Sequence, residues 1–222
     1  MKLLAFDTST SIASIALFNQ GKITELSQVG QGQHAQFILS MIDQLLGQEN
    51  LSIAELDGIV FGRGPGSFTG LRIACSLAKG LAYPHNLPVY PVSSLATLAY
   101  EITLNQNEND APAILAMIDA RMNQVYWAYY RDNSWLDVAE YVSDAADINI
   151  ITDKPLRLAG IGYQAYYQDL PQSLKASVVK QQEVSLKAST MIRLVLAEQV
   201  APITALEALP SYIRNQVTHV SK

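Results

Sequence analysis

Twice in this chain a short apolar run ends in an aspartate and is answered, after a brief polar turn, by a second apolar run. The first copy is Leu3-Leu4-Ala5-Phe6-Asp7, with Ile12-Ala13-Ser14-Ile15-Ala16-Leu17 returning. The second is Ala113-Ile114-Leu115-Ala116-Met117-Ile118-Asp119, with Val125-Tyr126-Trp127-Ala128-Tyr129-Tyr130 returning. Apolar runs separated by short polar or glycine-containing turns read as antiparallel strand meanders. The two aspartates lie 112 positions apart in 222 residues, close to half the chain. The pattern predicts a duplicated α/β domain, each half a meander plus helices. The most polar stretch, Asn105-Gln106-Asn107-Glu108-Asn109-Asp110, falls between the copies and is the expected boundary.

Between the copies the apolar period changes. Phe37, Ile38, Met41, Ile42, Leu45 and Leu46 recur at the spacing of one helical face, so residues 34–46 read as a helix headed by His34 and ending at Gly47. Gly58-Ile59-Val60-Phe61 is short enough for a buried strand. A glycine-rich string, residues 62–70, joins it to a second helix over 71–82, where Gly70, Ala74, Leu77, Ala78 and Leu81 let a neighbouring helix come close. Pro84 and Pro88 end that helix, residues 89–92 read as a strand, and Ser93-Ser94-Leu95 opens a serine-capped helix. In the second half, an apolar run over 156–159, a helix-like 163–168 and a helix over 188–198 follow. The tail is extended around Pro210.

Composition removes several function classes. Lys plus Arg number 15 against 20 Asp plus Glu, a net charge of −5 with no basic cluster, which argues against an unaided grip on nucleic acid. Hydrophobic residues at 49% exclude general disorder, and charged residues at only 16% leave the neutral surface of a chain that needs a partner. Asp7 interrupts the N-terminal apolar run too early for a signal segment, and no run approaches the roughly 20 residues a membrane span requires. A single cysteine, Cys75, makes no internal disulfide. The cytoplasm is the expected location.

The constellations that could carry chemistry each have a structural alternative. In the string holding Gly62, Gly64, Pro65, Gly66 and Ser67, backbone N–H groups at a helix start suit an anion. However, no Gly-Lys-Ser/Thr follows, and Ser67 and Thr69 stand where the dinucleotide fingerprint needs glycine. A tight turn that seats the helix on its sheet is the other reading. Asp7 with Thr8, Ser9 and Thr10 could hold a hydrated metal and reach phosphate, or cap a turn. Ser9 occupies the place of the glycine that close phosphate approach favours, and the partner turn, Asp119-Ala120-Arg121-Met122-Asn123, lacks glycine too. His34 has Phe37 and Ile38 where a second ligand would stand, and His85 and His219 have no acid or cysteine cluster beside them, so no metal site is read. Cys75, beside Ala74 and Ala78, reads as a small core residue ahead of a nucleophile without a base. The apolar stripe of the first helix is wide, with Phe37 and Met41 at one edge, so one part can face the sheet and another a partner.

Taken together, Leu4-Ala5-Phe6-Asp7-Thr8-Ser9-Thr10, the histidine-headed helix, residues 61–72, Pro91-Val92-Ser93-Ser94-Leu95, Ile118-Asp119-Ala120-Arg121 and Tyr212-Ile213-Arg214-Asn215 resemble the TsaB family, also called YeaZ. These are bacterial tRNA threonylcarbamoyladenosine biosynthesis proteins. The likeness is dense over residues 1–126, thin to about 205, and returns at the tail. It implies an actin-like ATPase (ASKHA, RNase H-like) fold: two related α/β domains, each a mixed sheet flanked by helices, at 1–107 and 108–205, with the tail 206–222 joined to the first. It also implies a non-catalytic partner in threonylcarbamoylation of the adenosine next to the anticodon. The transferase centre and its histidine pair belong to TsaD, and TsaE supplies an ATPase. Carried over, the TsaD-facing surface falls on the first two helices, at His34, Phe37, Ile38, Met41, Leu45, Leu71, Ala74, Cys75 and Ala78. Asp7, Ser9, Thr10 and Asp119 become vestigial phosphate turns with no cofactor of their own, while ADP or ATP at the joint between partners stays open. Homodimers are expected when the partner is absent, because an open apolar face finds a copy of itself. The competing reading is a self-sufficient actin-fold phosphotransferase or peptidase.

Overall fold

The computed structural model describes residues 1–30, 33–104, 113–131 and 134–214. The expected boundary stretch and Asn215 lie outside the described residues. In chain order the elements are β1 (Leu3–Asp7), β2 (Ile12–Asn19), β3 (Lys22–Val29), α1 (His34–Gln48), β4 (Gly58–Gly64), α2 (Phe68–Ala82), β5 (Val89–Ser93) and α3 (Ser94–Glu101). The second half brings β6 (Ala113–Arg121), β7 (Gln124–Tyr130), β8 (Glu140–Asp144), β9 (Leu156–Ile161), α4 (Gln172–Ser177), β10 (Val178–Glu183) and α5 (Ala188–Glu198). Short 3₁₀ turns fill several connections, the longest at Tyr163–Asp169.

Two five-stranded sheets result, ordered β3-β2-β1-β4-β5 and, read from the opposite edge, β8-β7-β6-β9-β10. The duplication is complete. In each sheet the first two strands form an antiparallel hairpin, the third is antiparallel to the second, and the fourth and fifth run parallel to the first. Both are the mixed, helix-flanked sheets that the actin-like fold requires.

Strand alternation sorts the core into layers. Leu4, Phe6, Ile59 and Phe61 point to one face of the first sheet, where α1 and α2 bury it. Leu3, Ala5 and Val60 point to the other, and share a cluster with α3, α5 and Ile114, Ala116 and Ile118 of the second sheet. The far face of the second sheet, with Leu115, Met117, Leu156 and Leu158, is closed by Tyr163 of the 3₁₀ turn and Leu174 of α4.

Helix ends depart from expectation by one turn at most, for local reasons. Asn50 takes the left-handed backbone just beyond α1, so the helix runs past Gly47. Ser67 accepts from the Gly70 N–H and starts α2 at Phe68 rather than Leu71. Ser93 caps α3 as its sequence predicts, accepting from the Ala96 N–H at 3.1 Å.

The expected 108–205 limit of the second domain does not match the packing. Within that range α5 lies on the first sheet: the Ala188 N–H donates to Ser14 Oγ at 2.8 Å, and Ser189 Oγ donates to Glu25 Oε2 at 2.7 Å. Met191 and Ile192 are fully buried there, beside α3 in the layer between the two sheets. The chain also returns early: Ile203 bridges Val89, Cys75 Sγ donates to Ala208 O at 3.2 Å, and the Ser211 N–H donates to Arg63 O at 2.7 Å.

Candidate functional site

The carboxyl end of β1 carries Asp7, fully buried. Its Oδ1 accepts from the Ser9 N–H at 2.7 Å and the Ser9 hydroxyl at 2.8 Å, a closed turn of the kind aspartate makes two residues ahead of itself. Oδ2 is sealed from solvent and has no partner. It points at Gly62, where an added Cβ would lie 1.7 Å away. Burial pushes this carboxyl above its usual range, against the Ser9 hydrogen bonds and the nearby His34.

The glycine-rich string is clamped to that turn. A Cβ at Gly66 would meet Ser9 Cβ at 2.7 Å, and one at Gly70 would meet Thr8 O at 1.9 Å. The Ser67 N–H donates to Ser9 O at 2.8 Å, and Thr8 Oγ1 donates to Gly70 O at 2.7 Å. Gly64 takes a left-handed φ of 108°, with Leu71 packed beneath it and Pro65 buried next in line. Packing thus accounts for these glycines, which admit the hairpin backbone, and the Ser67 N–H is already bonded.

The second copy repeats the geometry but opens it. Asp119 Oδ1 accepts from the Arg121 N–H at 2.7 Å, as Asp7 does from Ser9, and also from the Tyr166 hydroxyl at 2.8 Å. Its Oδ2 lies 3.3 Å from Arg121 Nη1. Gly162 faces it at the register Gly62 holds in the first sheet, since Phe6 pairs with Phe61 and Ile118 with Ile161. Burial and the bond to Asp119 push the Tyr166 phenol upward.

A cavity of about 610 Å³ separates the two copies. Ser9, Thr10 and the start of α2 line one side, Asp119 to Met122 the other, and residues 211–214 a third. His34 borders it while its Nε2 donates to Thr10 O at 2.9 Å and its Nδ1 is buried without a partner. Metal-nucleotide chemistry needs an exposed carboxylate and a backbone open to phosphate. Here Asp7 Oδ2 is sealed against Gly62, while Asp119 is engaged by Arg121 and Tyr166. Among the described residues no group of three or more His, Cys, Asp or Glu is placed to hold a metal ion.

The residues carried over as partner-facing fall largely inside. His34, Ile38, Met41, Leu45, Leu71, Ala74, Cys75 and Ala78 are buried in this chain's own core, Met41 at 6% and Ala78 at 0% exposure, and Phe37 is half-buried with its ring edge-on to His34. Cys75 is a core residue whose thiol burial pushes upward. Their burial has a simple cause: the wide stripe of α1 and the small face of α2 are both taken up by the sheet and by each other. Solvent instead meets Gln36, Leu39, Ser40 and Asp43 on α1 and Arg72, Ser76 and Gly80 on α2.

Two residues that the sequence marks only as part of motifs, with no role assigned, bind the halves together. Arg63 Nη2 donates to Glu140 Oε1 at 3.0 Å, joining β4 to β8, with the Glu140 side chain 8% exposed. Burial raises the Glu140 carboxyl, while Arg63 and the Ser93 hydroxyl pull it back. Arg214 Nη2 donates to Gln124 Oε1 at 2.7 Å and Arg121 O at 3.3 Å. A lone cation, Arg63 within β4 or Arg214 in the extended tail, carries no periodic signal. Arg63 could have been noticed only from its place inside the glycine string.

A family model described as TsaD: tRNA N6-adenosine threonylcarbamoyltransferase matches residues 26–212. The tRNA threonylcarbamoyladenosine biosynthesis protein TsaB of Haemophilus influenzae is 37% identical over 234 residues, covering 98% of this chain and 95% of that relative. Its counterpart in Escherichia coli is 34% identical over 227 residues, covering 98% and 96%. The solved structure of YeaZ from Pseudomonas aeruginosa superposes with a TM-score of 0.83 at 34% identity, over 95% of this chain and 99% of that one. The relatives match nearly end to end and the shared fold carries the same two sheets. The chain belongs to the TsaB family of tRNA threonylcarbamoyladenosine biosynthesis proteins.

Proposed function

We propose that this chain is a non-catalytic cytoplasmic partner that binds and activates a TsaD-type threonylcarbamoyltransferase, working beside a TsaE-type ATPase. The observation that carries the reading is Asp7: the acid best placed for chemistry is sealed behind Gly62 and bonded only to its own turn. A carboxylate in that position holds a hairpin together and reaches nothing in the cavity. The relatives' names place the family in the pathway, and its work is then done by surface.

The surface that supports the reading is the outer face of α1 and α2. Leu39 is 53% exposed, and Gly47 and Gly80 have nothing within 4 Å of an added Cβ. A mostly neutral, small-residue face lets another helix pair come close. Without its partner the same face pairs with a second copy of this chain.

Reconstitution tests the reading. Transferase, ATPase and tRNA are assayed for threonylcarbamoyladenosine with and without this chain, and then with Asp7→Asn and Asp119→Asn variants. Strong dependence on the chain, kept by both variants, is the expected result. Micromolar Mg-ATP binding with steady turnover by the isolated, highly purified chain would replace this reading with that of a self-sufficient enzyme.

A further inference from the structure

Residues 211–214 cross from one half of the molecule to the other over the mouth of the cavity. On the first half, the Ser211 N–H donates to Arg63 O at 2.7 Å. Tyr212 packs on Phe68 with ring centroids 5.3 Å apart and accepts from Arg72 Nε at 3.3 Å, while the Arg72 guanidinium lies 3.8 Å over the Phe68 ring. On the second half, Arg214 brackets the β6–β7 turn. It donates to Arg121 O, to Gln124 Oε1 and, at 3.1 Å, to Met122 Sδ.

That turn is unusual. Arg121, Met122 and Asn123 hold positive φ values of 62°, 55° and 58° in succession, and none is glycine. Left-handed backbone at three consecutive L-residues persists only where the surroundings over-determine it. Arg214 supplies part of that determination from outside the sheet. The acceptors it uses are an amide, a carbonyl and a sulfur, none of them an anion, and its buried Nε has no partner. Donated by an ionised guanidinium, these bonds are charge-assisted, while the unpaired buried Nε–H works against them.

We propose that residues 211–214 are a clasp: Tyr212 anchors it to the start of α2, Arg214 closes it on the β6–β7 turn, and the closure of the two halves over the cavity depends on it. Arg63 ties the clasp to the second attachment, because its carbonyl receives Ser211 while its guanidinium reaches Glu140. The tail thereby sets how the α1/α2 face is held relative to the second sheet. This inference concerns the chain alone and stands apart from the partner reading.

The test uses the full chain carrying Arg214→Ala, with Arg214→Lys and Tyr212→Phe beside it. Amide hydrogen exchange is followed residue by residue. Spin labels at Ser40→Cys and Ile151→Cys, both exposed and on opposite halves, report the distance distribution between them. With Arg214→Ala, exchange at 122–124 rises at least tenfold and the distance distribution broadens, while amides of α1 and β1 keep their protection. Arg214→Lys keeps the charge but loses the bracket and falls between, and Tyr212→Phe, which retains the ring stack, moves the distribution little. An unchanged distribution with unchanged exchange at 122–124 overturns the clasp. So does a uniform rise across α1, β1 and the turn, which would make Arg214 an ordinary stabilising contact.

Discussion

Asp7 Oδ2 occupies the space that Gly62 leaves empty, the two meeting across adjacent parallel strands. A methyl group at Gly62 would lie 1.7 Å from that oxygen, on a strand with no freedom to retreat. Gly62→Ala is therefore expected to destabilise the chain by about 3 kcal/mol, the upper end of core overpacking. Gly80→Ala provides the contrast, since the added group meets nothing within 4 Å on an exposed helix. It should stabilise by roughly 0.5–1 kcal/mol. Urea unfolding of the two variants checks both signs.

Asp7 also makes stability depend on pH. Its folded-state carboxyl is raised by burial, so the native state favours the protonated form. The sign follows: the stability it contributes is present below the carboxyl's unfolded value and is lost as pH rises through the folded one. Asp7→Asn removes this dependence while an amide oxygen keeps the Ser9 bonds. Relative to the variant, the parent chain should lose stability from about pH 4 upward, with a slope of at most about 1.4 kcal/mol per pH unit, the limit for one proton. Unfolding midpoints of both proteins measured from acid to neutral pH give the comparison. A constant difference across that range would mean Asp7 titrates normally.

Why this much was legible, and the rest not, follows from the kind of signal each feature leaves. The hairpins ending at Asp7 and Asp119 are buried on both faces, so they appear as dense apolar runs that only strands accommodate. β8 and β10 lie at the edges of the second sheet, half exposed, and Glu140-Tyr141-Val142 and Val178-Val179-Lys180 show no comparable run. The residues of α5 announce a helix, but nothing local says that Ser14 and Glu25 will receive it on the first sheet. Which face of α1 and α2 meets solvent is hidden for a related reason. An apolar stripe reports burial without saying by what, and the sheet claims Met41 and Ala78 before any partner can.

The Arg63–Glu140 pair joins the two sheets, and its two ends should not respond alike. Arg63→Ala leaves a carboxylate that is 8% exposed without its cation, and should cost about 2–3 kcal/mol, trimmed because the Arg63 side chain is 32% exposed. Glu140→Gln keeps an acceptor for the guanidinium and relieves a carboxyl that burial already disfavours, so its cost should stay within about 1 kcal/mol. Denaturant titration with the double variant completes the cycle. Additive losses would show that the pair does not couple the sheets.

Partner binding and folding should separate cleanly on α1, two residues apart. Leu39 is 53% exposed and Met41 is 6% exposed within the core shared with Ile15, Leu45 and Phe61. A charge at Met41 must enter an apolar interior with no counter-ion in the cluster, so Met41→Glu should unfold the chain or cost at least about 3 kcal/mol. Leu39→Glu changes only solvent-facing surface and should shift stability by less than about 0.5 kcal/mol. If the outer face is the docking surface, the same substitution should weaken capture of a TsaD-type protein at least tenfold, or about 1.4 kcal/mol, because a desolvated unpaired charge would sit in the interface. Co-purification and thermal melting of the Leu39 variant read the two effects independently. Full capture by a well-folded Leu39→Glu chain would move the docking surface off α1.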